Sequence, residues 1–169
     1  MKEIKNEKTI SNYAVDGMRD ICCRRAATIA YMMDEAAKEG LSDEFARKAM
    51  RLYGRDRQIE AMKKWDEPGK FAEYARRFGT GAGKEVYEME ILERSEKRLA
   101  VNFHYCPYVE AWLKQGRTPE EIEHLCDVTM EGDRGAAEQV RGCRFTLPKT
   151  IAAGDGICAL RFEYVGEDS

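Results

Sequence analysis

Hydrophobic residues recur every three or four positions through the first half of the chain, and this period predicts helices. The first helical pattern extends over residues 11–39, has Arg25 as the one gap in its apolar stripe, and is followed by Gly40 at the position of a C-cap. A second pattern starts after Ser42, a suitable N-cap, and Gly54 is the expected place for a kink or split in it. The sequence therefore predicts two long helices in succession.

Near the middle of the chain the helical period gives way to strict alternation of apolar and polar residues. A short third helical face ends at Gly79, and the alternation then covers residues 86–94 and 98–105. Residues 95–97 have the composition of a hairpin turn between the two strands that this alternation predicts. Pro107 ends the second strand, because proline cannot donate a hydrogen bond to a neighbouring strand.

The last third of the chain contains one clear helix start and two more alternating segments. Thr118 and Pro119 have the positions of an N-cap and a first helical residue, and Gly132 is the expected break in the helix that follows. Alternation over residues 143–148 and 157–164 predicts two further strands.

Helices gathered in the first half and strands in the second predict an α+β fold, with N-terminal helices packed on a mainly antiparallel four-stranded sheet. We expect residues 1–169 to form a single domain, with a helical part at 1–80 and a sheet-containing part at 81–169. The polar strand positions fit either solvent or a lined cavity, and solvent is the simpler interpretation. They are Glu88, Glu90, Asn102, His104, Arg161 and Glu163.

Composition and charge narrow the function classes. The 28 Lys and Arg residues nearly balance the 31 Asp and Glu residues, without any block of five like charges, so no nucleic-acid partner is expected. The longest apolar run, at 26–33, is far shorter than the ~20 residues of a membrane span. The N-terminus has no apolar core of a signal peptide, so the six cysteines are interpreted as reduced thiols of a cytoplasmic protein.

The glycine-rich stretch at residues 79–84 superficially resembles a phosphate-binding loop. A P-loop would require glycine at position 78 and serine or threonine at position 85, where this chain has Phe78 and Glu85. No nucleotide cofactor is therefore expected. A flexible hinge between helices and sheet is the preferred interpretation, since glycine supplies backbone freedom.

Three cysteines lie near the ends of predicted elements, at Cys106, Cys126 and Cys158. No Cys-x-x-Cys pair is present, so these thiols could meet only through the fold. Two interpretations stay open: a zinc site formed by the three sulfurs, or three small apolar side chains in the core. Zinc is thus the one cofactor that the sequence leaves open.

Nucleophilic catalysis is a further interpretation of Cys106, because His104 lies two residues before it on the same predicted strand. The N-terminal amides of a helix after Pro107 would also stabilise a thiolate at this position. A half-buried thiol beside an exposed histidine explains the same residues without catalysis. Asp133 and Asp155 both follow glycines, which is typical of turns, and either carboxylate could act as a general base.

The second half of the chain resembles the L-2-amino-thiazoline-4-carboxylic acid hydrolase family. The similarity rests on residues 102–108 (Asn-Phe-His-Tyr-Cys-Pro-Tyr), then Gly116, then Cys126, and then residues 150–162, with Gly-Asp-Gly-Ile-Cys at 154–158. It extends over about residues 86–164. The resemblance implies a hydrolase that opens a small cyclic amidine carboxylate to a carbamoyl-cysteine type of product.

The resemblance also implies roles for individual residues. Cys106 would be the nucleophile or a metal ligand with Cys126 and Cys158 beside it, and Asp155 or Asp133 would assist the attack of water. His104 would be a neighbour of the thiol. Arg161, with Asn102, would bind the substrate, because an arginine fork fits a carboxylate.

An alternative function needs no catalysis: the same fold could enclose a small ligand or zinc and act as a sensor module. A homo-oligomer is a third alternative, since an apolar helix face can pair with a second copy. Variants that lack the Cys106 or Cys158 thiol distinguish enzyme from module, because an enzyme would lose turnover and a module would lose its ligand or its stability.

Overall fold

A computed structural model describes residues 3–166 of the chain. Within these residues the chain forms seven helices and four strands. The helices are α1 (Tyr13–Lys38), α2 (Glu44–Met62), α3 (Phe71–Arg77), α4 (Gly83–Val86), α5 (Pro107–Lys114), α6 (Pro119–Thr129) and α7 (Glu131–Ala137). The strands are β1 (Met89–Arg94), β2 (Arg98–Phe103), β3 (Cys143–Thr146) and β4 (Cys158–Tyr164). In the described part of the chain no helix is both long and apolar enough to cross a membrane.

The four strands form one antiparallel sheet in the order β1-β2-β4-β3, which confirms the predicted α+β class. Leu99 of β2 pairs with Phe162 of β4, and Val101 pairs with Leu160. All four side chains are buried, so this face of the sheet forms the core with the helices. Burial of such large apolar side chains is the main favourable contribution to folding.

Local capping explains where two of the predicted helices begin. Thr118 and Glu121 form a capping box at α6, with Pro119 at the first helical position, as the sequence predicts. Asp43, rather than the expected Ser42, occupies the N-cap position of α2, and its side chain makes no capping hydrogen bond. Its carboxylate instead binds Arg47 of the same helix at 2.9 Å.

The strand expected from residue 86 begins at Met89, because Glu88 leaves the extended conformation. Its φ is +49°, in the left-handed region. Glu88 is also buried instead of facing solvent, since its carboxylate accepts hydrogen bonds from the backbone N–H of Thr9 and Ile10 and from Arg19. The solvent interpretation of the polar strand positions is therefore wrong for Glu88. This buried ion pair ties the extended N-terminal segment to the sheet.

Gly54 and Gly132 allow α2 and α7 to pack closely, and neither glycine interrupts its helix. A Cβ atom at Gly54 would lie 1.8 Å from the carbonyl oxygen of Gly132, so the two backbones are in direct contact. The break expected at Gly132 lies instead at Met130, between α6 and α7. The two glycines thus serve helix packing rather than helix termination.

Gly54→Ala is expected to destabilise the fold by about 3 kcal/mol, because the added methyl group forces α2 away from α7. Gly17→Ala is the matched control: Gly17 is also helical, but a Cβ atom added there would meet no other atom within 4 Å. That substitution should stabilise the protein by ~0.5–1 kcal/mol through helix propensity. Urea unfolding of both variants checks the pair, and a Gly54→Ala protein as stable as wild type would contradict the close packing.

Candidate functional site

A cavity of about 460 Å³ lies between α2, α7 and the adjoining ends of β2 and β4. Cys106, Cys126, Cys158 and Asp133 all line it. Phe103 at the end of β2 pairs with Cys158 at the start of β4, which places the late cysteine beside the segment that carries Cys106. The structure therefore brings together the three thiols that the sequence separates by 20 and 32 residues.

The backbone of Cys106 is held by a residue from the N-terminal segment. Asn6 Nδ2 donates to the Cys106 carbonyl oxygen at 2.9 Å, and the Cys106 N–H donates to Asn6 Oδ1 at 2.8 Å. Cys106 is the N-cap residue of α5, with Pro107 at the first helical position. These contacts fix the peptide from which the thiol enters the cavity.

Burial, with a smaller contribution from the neighbouring Cys158, raises the pKa of the Cys106 thiol to about 12. The backbone amides of Tyr108 and Val109, in the first turn of α5, act in the opposite direction by stabilising the thiolate. Their effect is smaller than the cost of burying the charge. The free protein therefore carries Cys106 as a thiol at neutral pH, and a nucleophilic role requires a base or a bound cation.

The other two thiols are also protonated at neutral pH. Burial raises the pKa of Cys158 to about 11, and the Cys158 Sγ accepts a hydrogen bond from the Ile151 N–H at 3.3 Å. Burial likewise raises the pKa of Cys126 well above its usual range, and Cys106 and Cys158 contribute to that shift. All three sulfurs belong to residues that line one cavity.

Asp133 of α7 contributes the carboxyl group of the cavity. Burial raises its pKa, against the opposing effect of Arg57, Arg134 and Arg25. Although other carboxylates of α6 and α7 are salt-bridged, Asp133 has no ion pair within 4.0 Å among the described residues. A carboxyl group with a raised pKa in a cavity is suited to accept and return protons.

Two arginines line the same cavity and face no carboxylate partner in the described part of the chain. The guanidinium of Arg25 lies 4.0 Å from the ring centroid of Tyr53, a cation–π contact. Arg57 lines the cavity from α2. Sequence reasoning missed both as site residues, although Arg25 as the gap in an apolar stripe was an available signal. Guanidinium groups that have no carboxylate within salt-bridge distance give the cavity the donors that an anionic ligand requires.

Comparison with known proteins identifies the family of this chain. The family model described as L-2-amino-thiazoline-4-carboxylic acid hydrolase matches residues 19–162. The chain belongs to that family. No curated protein matches the chain.

Among the solved structures, this hydrolase-family chain has a neighbour that is similar to it in fold alone. It is the crystal structure of a trafficking protein particle complex subunit 3 from Naegleria fowleri, covalently bound to palmitic acid. The TM-score is 0.54 at 16% sequence identity, over 86% of this chain and 95% of the neighbour.

Two residues expected at the hydrolase site lie outside the main cavity. Asp155 is exposed and caps its own turn, accepting from the Thr150 N–H at 2.9 Å. Asp155 lines a second cavity of about 320 Å³, and Cys126 lines both this cavity and the main one. His104 is exposed and pairs with Glu90 at 2.9 Å. Of the two expected aspartates, the structure places Asp133 with Cys106.

Arg161 and Asn102, expected to bind the substrate, lie on the opposite face of the sheet from the cavity. Leu160 faces the helices and lines the cavity, so the alternation of β4 directs Arg161 away from it. The Arg161 guanidinium donates to Asn102 Oδ1 at 3.0 Å and to the carbonyl oxygens of Val101 and Leu160 at 2.9 Å. The hydrogen bonds to Asn102 and Val101 join β4 to β2.

The three cavity thiols do not have the arrangement of a metal centre. Within residues 3–166, no group of three or more His, Cys, Asp or Glu side chains is placed to hold a metal ion. The three thiols of the cavity therefore do not form a ligand group for zinc among these residues.

Proposed function

We propose that the protein hydrolyses the ring C–N bond of a small cyclic amidine that bears a carboxylate, of the 2-amino-thiazoline-4-carboxylate type. The observation that carries the proposal is one cavity that holds the Cys106 thiol, the Asp133 carboxyl group and two arginines without carboxylate partners. Its volume of about 460 Å³ is in the range of small-molecule sites. Family membership supports the hydrolase class.

The cavity is lined by both arginine donors and aromatic rings, and the substrate would contact both. Arg25 and Arg57 supply the donors for the substrate carboxylate. Tyr87, Phe103 and Tyr108 also line the cavity and offer ring faces to a planar heterocycle. A bound amidinium cation would lower the pKa of the Cys106 thiol, because an opposite charge nearby favours the thiolate.

In the proposed reaction the Cys106 sulfur attacks the amidine carbon, and Asp133, as a carboxylate, takes the thiol proton. The ring C–N bond then breaks, and Asp133 returns the proton to the leaving nitrogen, which becomes an amine. Asp133 next takes a proton from water, whose oxygen bonds to the same carbon, and the carbon–Cys106 bond breaks with the thiol reprotonated. The net change is the addition of one water molecule.

The direct test is turnover of L-2-amino-thiazoline-4-carboxylate by the untagged wild-type protein, followed by NMR. The expected result is loss of the ring signals and appearance of a carbamoyl-cysteine product. Elemental analysis of the same preparation tests zinc: stoichiometric zinc whose removal stops turnover would move the activation of water from Asp133 to the metal. Ligand binding without any turnover would instead support the sensor module.

A second candidate function is covalent binding of an acyl chain, in which the Cys106 sulfur takes the acyl group from a thioester donor and the donor's thiol leaves with the Cys106 proton. The composition of the cavity favours this candidate. Trp65, Tyr74, Phe78 and Trp112 extend the apolar lining of the cavity that Cys106 also lines. The fold neighbour from Naegleria fowleri is covalently bound to palmitic acid. An intact mass that exceeds the sequence mass by one acyl group would favour this candidate over hydrolysis, provided that treatment with hydroxylamine returns the protein to the sequence mass.

A further inference from the structure

Gln58 presents an unpaired hydrogen-bond donor in the wall of the cavity. The residue belongs to α2, lines the cavity and is only 6% exposed. Throughout residues 3–166, its Nε2 is the one buried side-chain nitrogen or oxygen atom without a hydrogen-bond partner. Buried polar groups are almost always paired in folded proteins, so an unpaired one indicates a function such as ligand binding.

The packing of α2 on α7 places this amide in the lining of the same cavity as the Asp133 carboxyl group. Gly54 lies one helical turn before Gln58 and contacts the carbonyl of Gly132, the residue before Asp133. Because backbone meets backbone at that contact, neither helix can shift without losing it. Gln58 and Asp133 are therefore held on opposing helices at the same cavity.

The polar groups near Gln58 differ in what they can bind. Arg25 and Arg57 are donors only, and both line the cavity with Gln58. Asp133 is the acceptor of the set. The terminal torsion of a glutamine side chain is broad, so the amide can turn its nitrogen toward a ligand oxygen within the same rotamer. Three donor groups therefore line one cavity, and donors of this kind match the oxygens of a carboxylate.

We propose that Gln58 donates a hydrogen bond to the carboxylate of the ligand and thereby selects ring compounds that carry this group. The identity of the ring rests on the proposed function, whereas the role of Gln58 rests on its unpaired nitrogen. Gln58 is thus a specificity residue, and the thiol and the Asp133 carboxyl group perform the reaction.

The test compares binding of thiazolidine-4-carboxylate and thiazolidine by calorimetry, because neither compound has an amidine carbon that the protein could hydrolyse. Gln58→Met keeps the length of the side chain and removes the donor. It should weaken binding of the carboxylate about ten- to a hundredfold and leave thiazolidine binding unchanged. Without ligand, the same variant should unfold at a higher temperature than wild type, because a buried unpaired polar group is removed.

Gln139→Met is the matched control, since the Gln139 Nε2 has a partner, the Gly135 carbonyl oxygen at 3.2 Å. It should unfold at a lower temperature and bind both compounds as wild type does. An equal loss of both compounds in Gln58→Met, or a lower unfolding temperature, would overturn the assignment. Wild-type protein that binds thiazolidine-4-carboxylate but opens no cyclic amidine would contradict the proposed reaction alone, and failure to bind it would overturn both proposals.

Discussion

Cys106→Ala is expected to reduce turnover of a cyclic amidine carboxylate by about three orders of magnitude or more, because the substitution removes the atom that forms the covalent intermediate. Folding should be nearly unaffected, since alanine keeps the N-cap backbone and Asn6 binds only the main chain of residue 106. Steady-state kinetics and a thermal melt of the same preparation measure the two effects. Full activity of the variant would mean that water attacks the amidine carbon directly, without a covalent intermediate on Cys106.

Cys143→Ala is the matched control for the loss of a half-buried thiol. Burial raises the pKa of Cys143 to about 12, as it does for Cys106, but Cys143 lies on β3 and is not among the residues that line the cavity. Its variant should keep wild-type turnover. Cys158→Ala should instead lose ~1–3 kcal/mol of stability, because the Ile151 N–H loses its sulfur acceptor.

Asp133→Asn is expected to lower kcat/KM by about 10²- to 10⁴-fold, because asparagine cannot accept and return the protons of the reaction. Burial raises the pKa of Asp133 above its usual value of 3.8. Turnover by wild type should therefore rise with pH through this raised pKa, and the variant should lack that rise. A pH–rate profile of both proteins measures the difference.

The stability of the same variant provides an independent check with a definite sign. A raised pKa in the folded state favours folding below the unfolded pKa, and this contribution is lost as pH rises through the folded pKa. At neutral pH the buried carboxylate therefore opposes folding, and Asp133→Asn should be more stable than wild type. Asp127→Asn is the control, because the Arg134 and Arg47 partners lower the pKa of Asp127. That variant should be slightly less stable, by ~0.2–1 kcal/mol, with turnover unchanged.

Much of the fold could be predicted because its signals are local. The helix start at Thr118 depends on a capping box within four residues, and the β1–β2 hairpin on a short polar turn. The late start of β1 could not be predicted in this way. It depends on Glu88 meeting Arg19, 69 residues earlier in the chain, and alternation alone carries no information about such a partner.

Residues of the candidate site could be predicted where a sequence motif contains them. They could not be predicted where only the packing of helices brings them together. The family resemblance led to Cys106, Cys126 and Cys158, which share the cavity. The alternation of Cys158 with Leu160 already implied that Arg161 faces the other side of the sheet. The helix pair that brings Gln58 to Asp133 depends on a backbone contact between two glycines, and neither glycine has a sequence signature for it.

The hydrogen bonds between Asn6 and the Cys106 backbone affect the order in which parts of the protein fold. The two residues are 100 positions apart, so their hydrogen bonds close a long loop and cost chain entropy that local contacts do not. During synthesis Asn6 cannot form these hydrogen bonds until β2 and Cys106 have left the ribosome. We therefore expect the contacts between the N-terminal segment and the cavity to form late in folding, after the local contacts of the helices.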